Sequence, residues 1–141
     1  MIILTGIEVI EKGKSKVRKY LLILDSYKDS KQEKLAQDIT LRGAVERYLY
    51  LAVQATIDLA EAIISYKELR RPSTFSESFE ILHSEKLISK KIVDKMIKMT
   101  GFRNRIAHDY GDIDHLILHD ILANHLKDIE DFLDDVSKDL D

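Results

Sequence analysis

Apolar residues recur every three or four positions along most of the chain, which is the spacing of one face of an α-helix. In the N-terminal part this repeat predicts a first helix at about residues 2–27, weakened near its middle by Gly13. After a polar connector at 26–34, an unbroken stripe predicts a long second helix at about 35–67. The two stripes are Ile3, Ile7, Ile10, Val17, Leu21 and Leu24, with Lys14 as the one interruption, and then Leu41, Val45, Tyr48, Ala52, Ala55, Leu59, Ala62 and Tyr66.

Capping residues and the single proline divide the rest of the chain into three shorter helices. Pro72 is expected to end the second helix, because proline disfavours helical geometry in the residue before it. Thr74 and Glu77 form a Thr-x-x-Glu capping box at the start of the third helix. The other predicted boundaries are Ser89 as N-cap of the fourth helix, an end of that helix near Gly111, and Asp112 or Asp114 as N-cap of a fifth helix that runs towards Asp141.

These elements predict an all-α fold, a mostly antiparallel up-and-down bundle of about five helices that forms one domain over residues 1–141. The low content of turn-forming residues, with 1 proline and 5 glycines, agrees with long helices rather than with many short strands. Apolar residues make up 45% of the chain and charged residues 33%, which is a globular balance.

Composition excludes several classes of function. The chain has no cysteine, so disulfides, thiolate catalysis and Cys-ligated metal sites are ruled out. The apolar start is followed at once by charged residues, and we expect a soluble, cytoplasmic protein without a membrane segment. Because 22 basic and 25 acidic residues give a net charge of -3, contact with nucleic acid requires a local basic patch.

A cluster of polar residues near the end of the fourth helix is the strongest candidate for chemistry. At about 100° per residue, Asn104 and His108 project within about 40° of each other, and Tyr110 returns to within about 20° of Arg103. Arg103 and His108 diverge by about 140° on an isolated helix, so their joint action needs side-chain reach, the helix end or a second subunit.

These residue types suit RNA cleavage without a metal ion. A guanidinium can grip a phosphate, and a histidine that titrates near neutrality can take the proton of a 2′-hydroxyl. The residues alone also allow a plainer interpretation, since arginine, asparagine and histidine at helix ends are commonly capping or solvated residues.

The spacing from Arg103 to His108 and Tyr110 resembles the Arg-x4-His-x-Tyr signature of HepT-like HEPN toxins, with a polar Asn104 after the arginine as in HEPN domains. The resemblance covers about residues 35–133 and includes further segments of the chain. These are Arg42-Gly43-Ala44-Val45-Glu46-Arg47-Tyr48-Leu49, Ile57-Asp58-Leu59-Ala60, Pro72 with Ser76-Glu77-Ser78-Phe79-Glu80-Ile81-Leu82, and Met99-Thr100-Gly101-Phe102-Arg103-Asn104.

The resemblance implies a ribonuclease toxin that forms a homodimer with two copies of the motif facing a shared cleft. It implies that Arg103 holds phosphate, that His108 is a base or acid, and that Asn104 orients the substrate or the histidine. The implied partner is a minimal nucleotidyltransferase antitoxin that adds AMP to Tyr110. ATP and magnesium then belong to the partner, and the chain needs no cofactor of its own.

Other polar residues have alternative interpretations. The four-residue spacing of His115 and His119 could place two imidazoles on one metal ion, although a solvated pair at a helix start explains them as well. Lys95, Lys98 and Arg105 belong to a basic run on the fourth helix that could guide RNA towards the motif or could be a solvated face.

A polar strip of Gln54, Asp58 and Glu61, with Arg47 nearby, accompanies the core stripe of the second helix. It is expected to be solvated or paired within the bundle and dimer, and the alternative is that it buttresses the catalytic cleft. Two further functions remain open at this point. One is a non-catalytic, substrate-presenting or nucleotide-binding subunit of a nucleotidyltransferase complex, and the other is a helical adaptor.

Overall fold

The computed structural model describes residues 5–108 and 113–140, and these residues form seven α-helices joined by short loops. The expected all-α bundle is confirmed, but two of the five predicted helices are each divided in two. The helices are α1 (Gly6–Asp25), α2 (Gln32–Gln37), α3 (Ile39–Tyr66), α4 (Phe75–Ser84), α5 (Lys90–His108), α6 (His115–Asn124) and α7 (Leu126–Leu140).

The long helix α3 lies at the centre of the bundle and packs against α1, α2, α4, α5 and α6. Gly6 faces Tyr66 and Gly13 faces Leu59, so α1 and α3 run antiparallel. A Cβ atom at Gly13 would lie only 3.3 Å from Leu59 Cδ1, which shows that the glycine allows the two helices to approach closely.

The helix α3 is unusually long and apolar for a chain that was expected to contain no membrane segment. Among the described residues, α3 is the one helix long and apolar enough to cross a membrane, with a mean hydropathy of 1.2 over its most apolar window. In that window 56% of the residues are buried inside the protein. The apolar side chains of α3 therefore form the core of the bundle, which is a common reason for such a composition.

Lys14 interrupts the apolar stripe of α1 and is nevertheless 1% exposed. Its ammonium lies 3.4 Å from Glu11 Oε1, and the Glu11 side chain is itself exposed. A lysine can place its aliphatic stem among apolar neighbours while its charge meets a polar group. The interruption in the sequence therefore does not interrupt the buried face of the helix.

Side-chain caps start three of the helices at predicted positions. Thr74 Oγ1 accepts from Glu77 N at 3.1 Å, and Ser89 Oγ accepts from Ile92 N at 3.3 Å. Asp114 accepts from the backbone N–H of Leu116 at 2.8 Å, so it is the N-cap of α6. The alternative cap Asp112 and the predicted helix end near Gly111 lie outside the described residues.

The helix α3 ends before Pro72 and for a different reason than the predicted one. Glu68 has a left-handed backbone with φ of 55°, and the N–H of Leu69 donates to Ile64 O at 3.0 Å. This is the hydrogen-bond pattern of a Schellman turn, which satisfies carbonyl groups at the end of a helix. Pro72 lies six residues beyond Tyr66, the last residue of α3, where it lines a cavity.

Two helix breaks were not predicted. Asp38 has an extended backbone between α2 and α3, and its side chain accepts from Leu41 N at 3.0 Å. His125 separates α6 from α7, and its two ring nitrogens each lie 3.1 Å from a carboxylate oxygen, of Asp120 and Asp128 respectively. The apolar spacing continues across both breaks, so periodicity alone could not locate them.

Candidate active site

An open cavity of about 460 Å³ lies between α3, the start of α4 and the end of α5. Arg103, Asn104 and His108 line it from α5, and Glu61 faces it from α3. Residues 72–76 and Thr100 complete the lining. Three of the four predicted site residues therefore converge on one cavity, whereas Tyr110 lies outside the described residues.

The convergence of Arg103 and His108 resolves the angular problem posed by the isolated helix. Both side chains line the same cavity within one chain, although their directions on the helix diverge. The two residues therefore meet at one cavity within a single chain. A second subunit is therefore not required for this purpose.

The guanidinium of Arg103 is held by three hydrogen bonds from its three nitrogen atoms. Nε donates to Gln54 Oε1 at 2.8 Å, Nη1 donates to Asn104 Oδ1 at 2.9 Å, and Nη2 donates to the Tyr50 hydroxyl at 3.3 Å. Arginine has five N–H donors, of which these bonds use three, and no aspartate or glutamate of the described residues forms an ion pair with it. The group remains able to bind an anion.

Two aromatic rings also hold Arg103. Its Cζ atom lies 5.1 Å from the ring centroid of Tyr50 and 5.1 Å from that of Phe75. Cation–π contacts of this kind stabilise a guanidinium and restrict its orientation. Tyr50 belongs to α3 and Phe75 begins α4, so the position of the arginine depends on the packing of three helices.

Gln54 connects Arg103 to Asp58. Its Nε2 donates to Asp58 Oδ1 at 2.9 Å, which leaves its Oε1 to accept from Arg103. The carboxylate therefore sets the orientation of the amide, and the amide sets the position of the guanidinium. Of the two interpretations of the polar strip, the contact with Arg103 supports the buttressing one for Gln54 and Asp58.

Glu61 is a carboxyl group in the same cavity. Partial burial raises the pKa of Glu61 above its ordinary value, and the negative charge of Asp58 raises it further. Both effects disfavour the ionised form. Glu61 was predicted only as a member of the polar strip, and the structure adds that it faces the space next to Arg103 and His108.

The three basic residues proposed to guide RNA lie elsewhere. Lys95 donates to Asp128 Oδ1 at 2.8 Å, and this hydrogen bond is the main cause that raises the pKa of Lys95. Lys95 and Lys98 line a separate cavity of about 230 Å³ together with residues of α6 and α7. Arg105 is exposed and does not line the Arg103 cavity.

Among the described residues, the histidine pair at the start of α6 has no further side chains placed to form a metal-ligand cluster with it. Within residues 5–108 and 113–138, no group of three or more histidine, aspartate and glutamate side chains is arranged to hold a metal ion. His115 Nδ1 lies 3.9 Å from Asp114 Oδ1, the carboxylate that caps the helix.

Sequence reasoning did not identify Tyr50 and Phe75 as site residues. Phe75 is the first residue of α4 and packs partly against the core. Tyr50 precedes Gln54 by four residues, so the two share a helix face with Asp58. Extending the polar strip by one turn would have found it.

Several solved structures with the same fold come from toxin–antitoxin complexes. One is the tri-AMPylated HEPN toxin of Shewanella oneidensis in complex with its MNT antitoxin, with a TM-score of 0.84, 27% identity and coverage of 93% of this chain and 98% of that chain. A toxin–antitoxin complex with AMP-PNP gives the same TM-score and identity, with coverage of 92% and 98%. The fold is that of the HEPN toxins.

Sequence comparison specifies the family. A family model described as "Ribonuclease HepT-like" matches residues 17–136. The mRNA nuclease HepT of Shewanella oneidensis is 35% identical over 108 residues, 77% of this chain and 80% of the relative. The tRNA nuclease HepT of Aphanizomenon flos-aquae is 30% identical over 115 residues, 81% and 73% of the two chains. The chain belongs to the HepT-like ribonuclease family.

Proposed function

We propose that this chain is an endoribonuclease that cleaves RNA without a metal ion and acts as the toxin of a toxin–antitoxin module. Membership of the HepT-like ribonuclease family supports the activity. The observation that carries the proposal for the site is the single cavity lined by Arg103, Asn104 and His108, in which two aromatic rings contact the guanidinium and each of its three nitrogens donates a hydrogen bond.

In the proposed reaction, neutral His108 removes the proton of a ribose 2′-hydroxyl, whose oxygen then attacks the neighbouring phosphorus. The bond from phosphorus to the 5′-oxygen breaks, and that oxygen receives a proton. The products are a 2′,3′-cyclic phosphate and a 5′-hydroxyl. Arg103 stabilises the negative charge that develops on the phosphorane, and Asn104 orients the guanidinium to which it is bonded.

A homodimer with two motifs at a shared cleft remains part of the proposal. It rests on the family resemblance, because one chain already brings Arg103 and His108 to a common cavity. In such a dimer the histidine of the second copy could supply the proton to the leaving 5′-oxygen, while the first histidine acts as the base.

We further propose that a minimal nucleotidyltransferase is the antitoxin and adds AMP to Tyr110, with ATP and magnesium bound by that partner. The Shewanella oneidensis toxin was solved in its AMPylated form with such an antitoxin. A phosphate next to Arg103 would occupy the guanidinium and repel the RNA backbone, so a small covalent change would block the cavity. The partner and the toxin are expected to act in the cytoplasm.

Product analysis tests the ribonuclease proposal. The purified protein is incubated with single-stranded RNA and with the matched DNA, both in excess chelator. We expect RNA fragments that end in a 2′,3′-cyclic phosphate and intact DNA, because DNA lacks the attacking hydroxyl. Cleavage that stops in chelator, or fragments with 5′-phosphate ends, would contradict the proposed chemistry.

A further inference from the structure

We infer that Arg47 is a second phosphate-binding residue, which together with Arg103 holds two phosphate groups of one RNA strand. This inference rests on the proposed ribonuclease function and extends its site to a phosphate next to the cleaved one. In the sequence, Arg47 is a neighbour of the polar strip on the same helix, and the proposed cleavage reaction does not use it.

A single aromatic ring connects the two arginines. The ring centroid of Tyr50 lies 5.6 Å from Arg47 Cζ and 5.1 Å from Arg103 Cζ. Arg47 precedes Tyr50 by three residues on α3, whereas Arg103 approaches from α5. Tyr50 therefore contacts guanidinium groups from two different helices, and one of them, that of Arg103, belongs to a residue that lines the cavity.

The charge of Arg47 is available to a ligand. Its side chain is exposed, and among the described residues its contact is the cation–π interaction with Tyr50 rather than an ion pair. Two neighbouring cations repel each other, and a bound polyanion removes that repulsion. Arginine also suits a phosphate geometrically, because its planar fork can donate two parallel hydrogen bonds.

Two of the three acidic residues of α3, Asp58 and Glu61, lie well C-terminal to Arg47, whereas Glu46 is its neighbour in the sequence. Asp58 and Glu61 follow Arg47 by 11 and 14 residues, which corresponds to about 16 and 21 Å along a helix. At that distance Asp58 and Glu61 do not offset the attraction of Arg47 for a phosphate, because exposed charges more than about 10 Å apart are largely screened.

Binding to a non-cleavable RNA tests the inference. The probe is a single-stranded RNA with every 2′-hydroxyl methylated, so that the attacking group is absent. Arg47→Ala should weaken binding about tenfold and lower the slope of log affinity against log salt by about 0.7. The affinity of Arg47→Lys should lie between those of wild type and Arg47→Ala. Arg18→Ala, which removes an exposed arginine of α1, is the charge-matched control.

Cleavage of substrates of different length provides the second comparison. A dinucleoside monophosphate contains only the scissile phosphate, so wild type and Arg47→Ala should cleave it at equal rates. On a longer RNA, Arg47→Ala should show a higher KM than wild type. If Arg47→Ala matches Arg18→Ala in affinity and salt slope while wild type cleaves, the inference is overturned and the ribonuclease proposal stands. If wild type neither binds nor cleaves RNA, both fail.

Discussion

Arg103 depends on residues that lie far from it in the sequence. Its hydrogen-bond partners Gln54 and Tyr50 are 49 and 53 positions away. Holding the guanidinium before the substrate arrives reduces the cost of ordering it during the reaction. The supporting residues should therefore affect catalysis without contacting the RNA themselves.

Replacing Gln54 by methionine should lower kcat/KM by about tenfold to a hundredfold, since a small displacement of a catalytic group has effects of that size. Steady-state cleavage of an RNA oligonucleotide measures this change in kcat/KM. Gln37→Met changes an exposed glutamine of α2 and is the matched control. Gln54→Glu keeps an acceptor for Nε and should retain more activity than Gln54→Met. Equal activity of Gln54→Met and the control would show that Gln54 does not position the arginine.

Glu61 makes the stability of the protein depend on pH in a defined direction. Burial and the charge of Asp58 raise its pKa above the ordinary value of 4.5. Between the pKa of Glu61 in the unfolded chain and its higher pKa in the folded protein, the folded state binds more protons than the unfolded state. The contribution of Glu61 to stability therefore falls as the pH rises from the lower of these pKa values to the higher one. Above it, the penalty for the buried carboxylate is fully present.

Glu61→Gln removes this penalty and should raise the melting temperature at pH 7. The difference from wild type should shrink as the pH is lowered towards 4, where Glu61 is protonated in both states. Circular dichroism melts at the two pH values measure the effect, and Glu33→Gln, an exposed glutamate of α2, serves as the control. A difference that stays constant or grows towards low pH would refute the assignment.

At the scale of single residues, the sequence predicted only part of the site. Arg103, Asn104 and His108 were found from a motif within six residues, and the structure places all three on one cavity. Phe75 could not be assigned to the site, because aromatic residues in amphipathic helices usually belong to the core, and the one sequence signal for Tyr50 is its spacing from the polar strip. Their role depends on how α3, α4 and α5 pack, which periodicity does not specify.

Helix boundaries show a similar division between local and tertiary information. The caps at Thr74 and Ser89 were predicted because the signal is a short pattern of hydrogen-bonding residues. The breaks at Asp38 and His125 were missed because the apolar spacing runs through them. At His125 the break is accompanied by contacts with Asp120 and Asp128, so its location depends on side chains from both adjoining helices.

The left-handed residue after α4 allows a test of helix termination. Lys86 has φ of 64°, a conformation that glycine adopts without the steric cost of a Cβ atom. Lys86→Gly should raise the free energy of unfolding by about 1 kcal/mol in chemical denaturation. The same change at Lys16, exposed within α1, should lower it by about 1 kcal/mol. A loss of stability in Lys86→Gly would contradict the described end of α4.

For the whole molecule, net charge and site charge have opposite signs. The chain carries -3 overall, while Arg103 and Arg47 present positive charge beside the cavity. Local electrostatics therefore govern contact with RNA, and the addition of a negatively charged group near Arg103 is an efficient means of control.

Tyr110→Phe tests that control directly. The variant should cleave RNA like wild type, because the proposed reaction does not use the phenol. After incubation with a minimal nucleotidyltransferase antitoxin, ATP and magnesium, wild type should gain AMP and lose activity, whereas Tyr110→Phe should keep its activity. Mass spectrometry and a cleavage assay measure the two effects. AMP on the variant, or inhibition of both proteins alike, would exclude Tyr110 as the target.

The central claim is that the cavity lined by Arg103 and His108 cleaves RNA. The most direct measurement is the single-turnover cleavage rate of one RNA by wild type, Arg103→Ala and His108→Ala in chelator, with folding checked by circular dichroism. The account predicts cleavage by wild type and a loss of about a hundredfold or more in each variant. Intact RNA with wild type, or folded variants that cleave as fast as wild type, would contradict it.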